Sequence, residues 1–430
     1  MTPAARIASA IELVALVLEP WGEGTENDSP LPPAPSREGR GRSRVGARPA
    51  DAVANDFFRA RRFIGSGDRR DISERVWRVL RSRRRLGWWL GDHATSRLLV
   101  AASLLLEGVR YAAVAEAFSG GRFAPAQLSR SEQAMLRRLE GHALEHPSMP
   151  SAMRLEVPDW LFSRIGQAEL RALQEPAPLD LRVNLLKATR GEARVALAAE
   201  GLEAAPTPLS PWGLRIGGRR QVTTGPAFRA GLIEIQDEGS QLVAALVDAR
   251  PGMRVADLCA GAGGKTLALA MTMQNRGQLV ACDISAARLD GAVRRIRRAG
   301  VHNVERHLLE PGDKWIKRRA KSFDRVLVDA PCTGTGTWRR NPDARLRLAE
   351  TDLAELLPKQ AVLLDQAASM IRTGGRLVYA TCSLLAEENE DQVTAFLSRH
   401  SDFAQGDVLV LTPARNGTDG FFAAVLERRQ

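Results

Sequence analysis

Cysteine is scarce in this chain, and the four present, Cys259, Cys282, Cys332 and Cys382, all lie beyond its midpoint. They have neither the close pairing of a zinc site nor the density of a disulfide scaffold, so reduced thiols are expected and no metal is. Long apolar runs are missing as well. No stretch reaches the roughly 18 to 20 apolar residues of a membrane span. The run at 11–18 contains Glu12 and no cleavage site, which makes it a helix face and not a signal peptide. These absences point to the cytoplasm and away from membranes. Lysine is rare too: six of the 61 basic residues, beginning at Lys187, the rest being arginine.

What remains is a globular composition, 44% hydrophobic and 26% charged. At 430 residues the chain exceeds one ordinary core, so two or three domains are expected. A net charge of +11 calls for a polyanionic partner, most simply nucleic acid. Most of that excess is local, since residues 37–85 hold sixteen arginines against six acids. The stretch is either a phosphate-binding face, where each neutralised phosphate adds salt-dependent affinity, or a solvated helix surface.

Periodicity divides the chain. Apolar residues at three and four spacing predict helices over 7–18, 52–63, 71–89, 96–107, 111–118 and 129–144, hence an all-helical domain over residues 1–145. Within it, residues 20–50 are rich in Gly, Pro, Ser and charge and read as a flexible insertion. A small α+β connector is expected over 146–235, with helices at 160–173 and 190–199 and strands at 181–186 and 214–216. From 236 to 430 strands alternate with helices, the pattern of an open, mainly parallel α/β sheet. Its candidate strands are 254–257, 278–282, 304–308, 325–328 and 376–379.

The first of these strands runs into Asp257, Leu258, Cys259, Ala260, Gly261, Ala262, Gly263, Gly264, Lys265 and Thr266, followed by an Ala- and Leu-rich helix. Strand, glycine turn and helix form a cradle for a nucleotide or nucleoside at the carboxyl edge of the sheet. A phosphate-binding loop ending in Gly264, Lys265 and Thr266 would need glycine where Cys259 stands. A dinucleotide loop starting at Gly261 would need Gly or Ala where Thr266 stands. The second strand ends at Asp283, an acid placed to accept both ribose hydroxyls. Adenosine recognition without a phosphate site describes S-adenosylmethionine, whose sulfonium favours acidic neighbours such as Asp257.

Two thiols share the same edge. The fourth strand leads into Asp329, Ala330, Pro331 and Cys332, and the fifth into Ala380, Thr381, Cys382 and Ser383. A buried cysteine is usually a small hydrophobe, but a thiolate adding to carbon 6 of cytosine makes carbon 5 nucleophilic toward a sulfonium methyl group. Such a reaction needs an acid at ring nitrogen 3, for which Asp329 is expected as a buried carboxyl, and a base to remove the carbon 5 proton.

Residues 259–266, 329–332 and 380–383 together resemble the motifs of the RsmB/Sun/Fmu-type RNA (cytosine-5)-methyltransferases of the NOL1/NOP2/Sun family. The similarity continues through 235–241, 339–343 and 419–422 and covers roughly residues 180–430. It implies a Rossmann-like class I methyltransferase core with S-adenosyl-L-methionine as cofactor. It also implies Cys382 as nucleophile, Cys332 as the thiol that helps release product, and Asp329 as a contact to both cofactor and base. Residues 259–265 would form the cofactor loop, and Asp283 would hold the ribose. DNA cytosine methyltransferases use the Pro-Cys thiol instead, which would reverse the two cysteines. The helical N-terminus resembles a NusB-like RNA-binding domain.

Gly261 and Ala262 depart from the Ala-Pro common in the family, and the third strand has no acid at its end for adenine; Glu310 is carried forward as the candidate, with Asp313 beside it. Reaching a cytosine in structured RNA requires extruding it, with Arg339 and Arg340 as further phosphate contacts. The implied substrate is 16S ribosomal RNA and the chain a monomer with no DNA partner. Transfer RNA or another RNA is the alternative substrate, and a non-catalytic RNA-binding assembly factor the alternative class.

Overall fold

The computed structural model describes residues 1–18, 48–218 and 220–429. The insertion expected over 20–50 lies outside the described residues except for its last three. By its internal packing the chain forms two units, one of residues 1–174 with 340–348, the other of residues 175–339 with 349–430.

The first unit is helical because its apolar residues recur on one face of successive segments. Pro3–Leu18 buries Ala10, Leu13, Val14 and Val17, and Ser96–Leu105 is buried on nearly every side. Around them pack Ala50–Ala60, Ser66–Arg81, Arg83–Leu90, Tyr111–Ala117 and Arg130–Arg137. The helix expected over 71–89 is two helices, broken at Ser82. The cause is distant in sequence: the buried carboxylate of Glu156 accepts the backbone N–H groups of Arg84 and Arg85, each at 2.9 Å, and so begins the second helix. Likewise the helix expected over 160–173 is a 3-10 turn, Asp159–Leu161, followed by Gln167–Ala172.

Many arginines of the basic stretch are held internally. Arg75 and Arg78 pair with Glu107, Arg84 with Asp159, and Arg85 with Glu145 and Glu156. Part of the positive excess is thus spent on holding helices together, which weakens the reading of the whole stretch as a phosphate-binding face. The segment 340–348 belongs to this unit through Asp343, which accepts the N–H of Ala50 at 3.0 Å, and through buried Arg345, which donates to the carbonyl of Arg81 at 2.8 Å.

The second unit holds two sheets. The smaller contains β1 (Leu179–Val183), β2 (Ala204–Pro206), β3 (Gly213–Ile216) and β4 (Ile233–Ile235) in the order β2-β3-β1-β4, antiparallel throughout. Helices Arg190–Ala199 and Pro226–Arg229 complete a β-α-β-β-α-β sequence, a split β-α-β unit. Thr189 and Glu192 form the capping box that starts the first of these helices.

The larger sheet contains β5 (Arg254–Asp257), β6 (Gln278–Asp283), β7 (Val304–Leu308), β8 (Phe323–Asp329), β9 (Ile371–Thr381), β10 (Phe403–Leu411) and β11 (Phe421–Arg428). Their order is β10-β11-β9-β8-β5-β6-β7, with β5 to β9 parallel and β11 antiparallel to both its neighbours. Alternate residues feed two cores. Ala256, Val280, Val326, Val328 and Leu377 meet helices Glu350–Met370 and Glu390–Arg399 on one face. Val255, Leu279, Leu327 and Val378 meet helices Glu238–Leu246, Gly264–Thr272 and Ala286–Ala299 on the other. This is the doubly wound Rossmann-like architecture expected from the alternating pattern. The chain moves from β5 outward to β7 and returns to β8 on the other side of β5, so a crevice opens at the carboxyl ends of β5 and β8, where such sheets bind ligands.

Candidate active site

The loop after β5 is built by backbone hydrogen bonds that need its glycines. Ala260 N–H donates to the carbonyl of Cys282 at 2.9 Å, and Gly261 N–H to the carboxylate of Asp283 at 2.8 Å. Gly261 and Gly263 have φ of 55° and 82°, the left-handed region that disfavours side chains. A Cβ on Gly263 would also lie 3.2 Å from that of Ala292, whereas one on Gly261 would meet nothing within 4 Å. The loop is therefore closed toward the protein and open at Gly261. Two buried or half-buried arginines hold it from outside: Arg182 of β1 donates to the carbonyl of Gly264 at 2.7 Å, and Arg295 to that of Ala262 at 2.8 Å. Burial lowers Arg182 to about 10.

The carboxylates differ. Asp283 is buried and accepts the N–H groups of Gly261 and Ser285, leaving further lone pairs for a ligand. Asp257 is 1% exposed; its Oδ2 accepts the hydroxyl of Thr266 at 2.7 Å, while its Oδ1 has no partner among the described residues. Burial, with Asp329 and Asp283 nearby, pushes Asp257 up to about 7. An unpartnered acidic oxygen beside an open glycine turn fits a cationic nucleoside such as S-adenosylmethionine. Ile284, next to Asp283, is 83% exposed although apolar, a position folding does not explain.

Asp329 is less buried than expected. Its side chain is 30% exposed and lies 2.7 Å from the ammonium of Lys265. Burial alone would lower Lys265, but the attraction of Asp329 outweighs it and the ammonium is raised. Cys332 and Cys382, carried by the loops after β8 and β9, have their sulfurs 3.5 Å apart, beyond the roughly 2.0 Å of a disulfide. The loops are joined by Ala330 N–H to the carbonyl of Ala380 at 2.8 Å and Gly336 N–H to the carbonyl of Cys382 at 3.0 Å. The hydrogen bond to Cys382, with burial, pushes the Cys332 thiol well up.

Other expectations fare differently. Cys259 sits in the loop with its thiol pushed up by burial and by Asp257, and Cys282 is fully buried in the core. Glu310 stands exposed two residues beyond β7, away from any side-chain partner among the described residues, while Asp313 is occupied by His307 at 2.7 Å and by Trp315 N–H. Arg339 is no phosphate contact: it is buried and donates to the carbonyls of Gly417 and Thr418, both at 3.0 Å. Sequence reasoning missed Ile284 because exposure is not written in residue type, and missed Arg182 because its contact spans 82 positions.

Residues 244–427 match the family model described as 16S rRNA methyltransferase RsmB/F, and residues 157–223 match the ferredoxin-like domain of RsmF/B-like methyltransferases. A probable ribosomal RNA small subunit methyltransferase B of Synechocystis is 34% identical over 426 residues, covering 87% of this chain and 95% of that one. A ribosomal RNA small subunit methyltransferase B of Xylella fastidiosa is 37% identical, covering 68% of this chain and 72% of the relative. Among solved structures, a methyltransferase homologue from Pyrococcus horikoshii is 28% identical with a TM-score of 0.59, covering 66% of this chain and all of that one. The sheet, its glycine loop and these matches agree: the chain belongs to the RsmB/F family of methyltransferases, and its cofactor is S-adenosylmethionine.

Proposed function

We propose that the chain methylates carbon 5 of a cytosine in RNA, with Cys382 as the covalent nucleophile and small-subunit ribosomal RNA as the substrate. The observation that carries this reading is the pair of thiols 3.5 Å apart beside the Lys265–Asp329 ion pair, at the carboxyl edge of the sheet. Methylation of an amino group or an oxygen needs no thiol, and two facing thiols suit a reaction that adds and then eliminates sulfur. The relatives' names support the choice of RNA.

Residues 259–265 would hold the cofactor, with Asp283 at its ribose, Asp257 at its cationic end and exposed Ile284 against its base. Bound S-adenosylmethionine supplies an electrophilic methyl group. The sulfur of Cys382 adds to carbon 6, and the displaced π electrons leave carbon 5 electron-rich. Asp329, a carboxylate held by the Lys265 ammonium, relays the proton that Cys382 gives up to ring nitrogen 3, so that no charge builds there, and takes it back when the adduct breaks down. Once Cys382 is a thioether, Cys332 is freed of its hydrogen bond to that sulfur and gives its proton to a hydroxide ion from solvent, leaving water. Its thiolate then takes the carbon 5 proton while the carbon 6–sulfur bond breaks and returns its electron pair to Cys382.

Transfer of tritiated methyl groups to unmodified 30S-derived RNA tests this. Cys382→Ala should abolish transfer, and Cys332→Ala should accumulate a protein–RNA adduct stable to denaturing electrophoresis. Bisulfite sequencing of the product should protect one cytosine. Full transfer by Cys382→Ala would refute the covalent route.

A further inference from the structure

The reaction proposed above requires two adjacent thiols to behave differently, and the protein around them differs on the two sides. Behind Cys332 lies Glu388, at the end of the 3-10 turn Ala386–Glu388 and fully buried. Its Oε1 accepts Thr333 N–H and the Gln360 side-chain amide, each at 2.9 Å, and its Oε2 accepts the Thr333 hydroxyl. Gln360 also donates to the carbonyl of Pro331 at 3.0 Å. Both neighbours of Cys332 in the chain are thereby tied to one carboxylate. The tie continues to the other thiol, because the hydroxyls of Thr333 and Thr335 each lie 3.2 Å from that of Ser383, the residue after Cys382. Asn389, next to Glu388, donates to the carbonyl of Ser383 at 3.1 Å.

A structural clamp alone does not require a charge here. All three partners of the carboxylate are neutral donors, and burying a carboxylate without a cation is costly. The cation of the site is Lys265, paired with Asp329 at 2.7 Å and interacting electrostatically with Cys382. Around Cys332 the titratable groups are Cys382, Glu388 and the buried Tyr379, whose hydroxyl donates to the Glu388 carbonyl at 2.7 Å.

We propose that Glu388 is a positioning residue that makes the two thiols unequal: it clamps the Cys332 loop through Thr333 and sets a buried negative charge behind Cys332, whereas the Lys265 ammonium acts on Cys382. Cys332 then retains its proton in the resting enzyme and is a strong base once Cys382 is bonded to substrate. This assignment rests on the covalent reading but is tested without RNA.

In the full chain, alkylation of each cysteine by iodoacetamide is followed against pH by peptide mass analysis. Glu388→Gln removes the charge, and at pH 8 its Cys332 should react roughly threefold to tenfold faster than in wild type, with the Cys382 profile nearly unmoved. Glu388→Asp keeps the charge, so its Cys332 rate should stay within about twofold of wild type, even where the shortened clamp lowers kcat for methyl transfer. An unchanged Cys332 rate in Glu388→Gln that still binds S-adenosylmethionine would overturn the proposal. If that variant does not fold, a Cys332 rate raised tenfold in Glu388→Asp would do the same. Should Cys382 turn out not to attack cytosine, the alkylation profiles would still report on Glu388.

Discussion

Asp257 shows how one residue's burial becomes a property of the protein. Desolvation raises its carboxyl to about 7, so the folded state holds the proton more tightly than the unfolded chain. The stability this gives is complete below the ordinary carboxyl range and is lost as pH rises through 7. Ligand-free protein should therefore melt at a lower temperature at pH 8 than at pH 6, and Asp257→Asn, which cannot ionise, should remove that part of the fall. Fluorimetric melting of both proteins across this range decides it, and parallel curves would refute the account. At this scale much was legible: Cys332, Cys382, Asp283 and Asp329 are found at the carboxyl ends of their strands or in the loops that follow, and Lys265 in the first turn of the helix Gly264–Thr272. Their states were not legible. Asp329 was expected as a buried carboxyl, and only the fold brings Lys265, 64 positions away, to within 2.7 Å of it.

Elements bordering the site depend on close backbone approach. Gly336, in the turn Thr335–Thr337, donates to the carbonyl of Cys382, and Gly420 N–H donates to Gly336 at 2.9 Å. A Cβ on Gly336 would sit 2.4 Å from the carbonyl oxygen of Gly420. Gly336→Ala should cost about 1–3 kcal/mol in urea unfolding and displace Cys382, lowering methyl transfer; wild-type values for both would show that the turn yields freely. Element reading from sequence succeeded where the period was local. The strands at 254–257 and 304–308 and the helix at 190–199 lie where expected. It failed for β10 and β11, which were not among the candidate strands. Edge strand β10 buries only its ends, and β11 is buried on both faces with an Ala- and Leu-containing sequence, so neither shows a strand period and pairing alone makes them strands.

For the whole molecule, the interleaving of the chain matters most. The helical unit takes residues 340–348 from far along the sequence, including Asp343, which satisfies Ala50, and Arg345, which satisfies Arg81. A fragment of residues 1–174 lacks both partners. Its melting temperature should rise with added peptide 340–348 in a concentration-dependent way; no response at millimolar peptide would mean that the segment is dispensable to the unit. The sequence by itself determined the alternating strands and helices, the glycine loop, the two thiols and the acid of the second strand, because these follow from short-range periodicity and motif spacing. Tertiary structure alone decided the Lys265–Asp329 pair, the break at Ser82, the internal use of the arginines, and the buried Glu388 behind Cys332. Each of those depends on groups brought together across tens of residues, where burial, and not residue type, sets what a side chain can do.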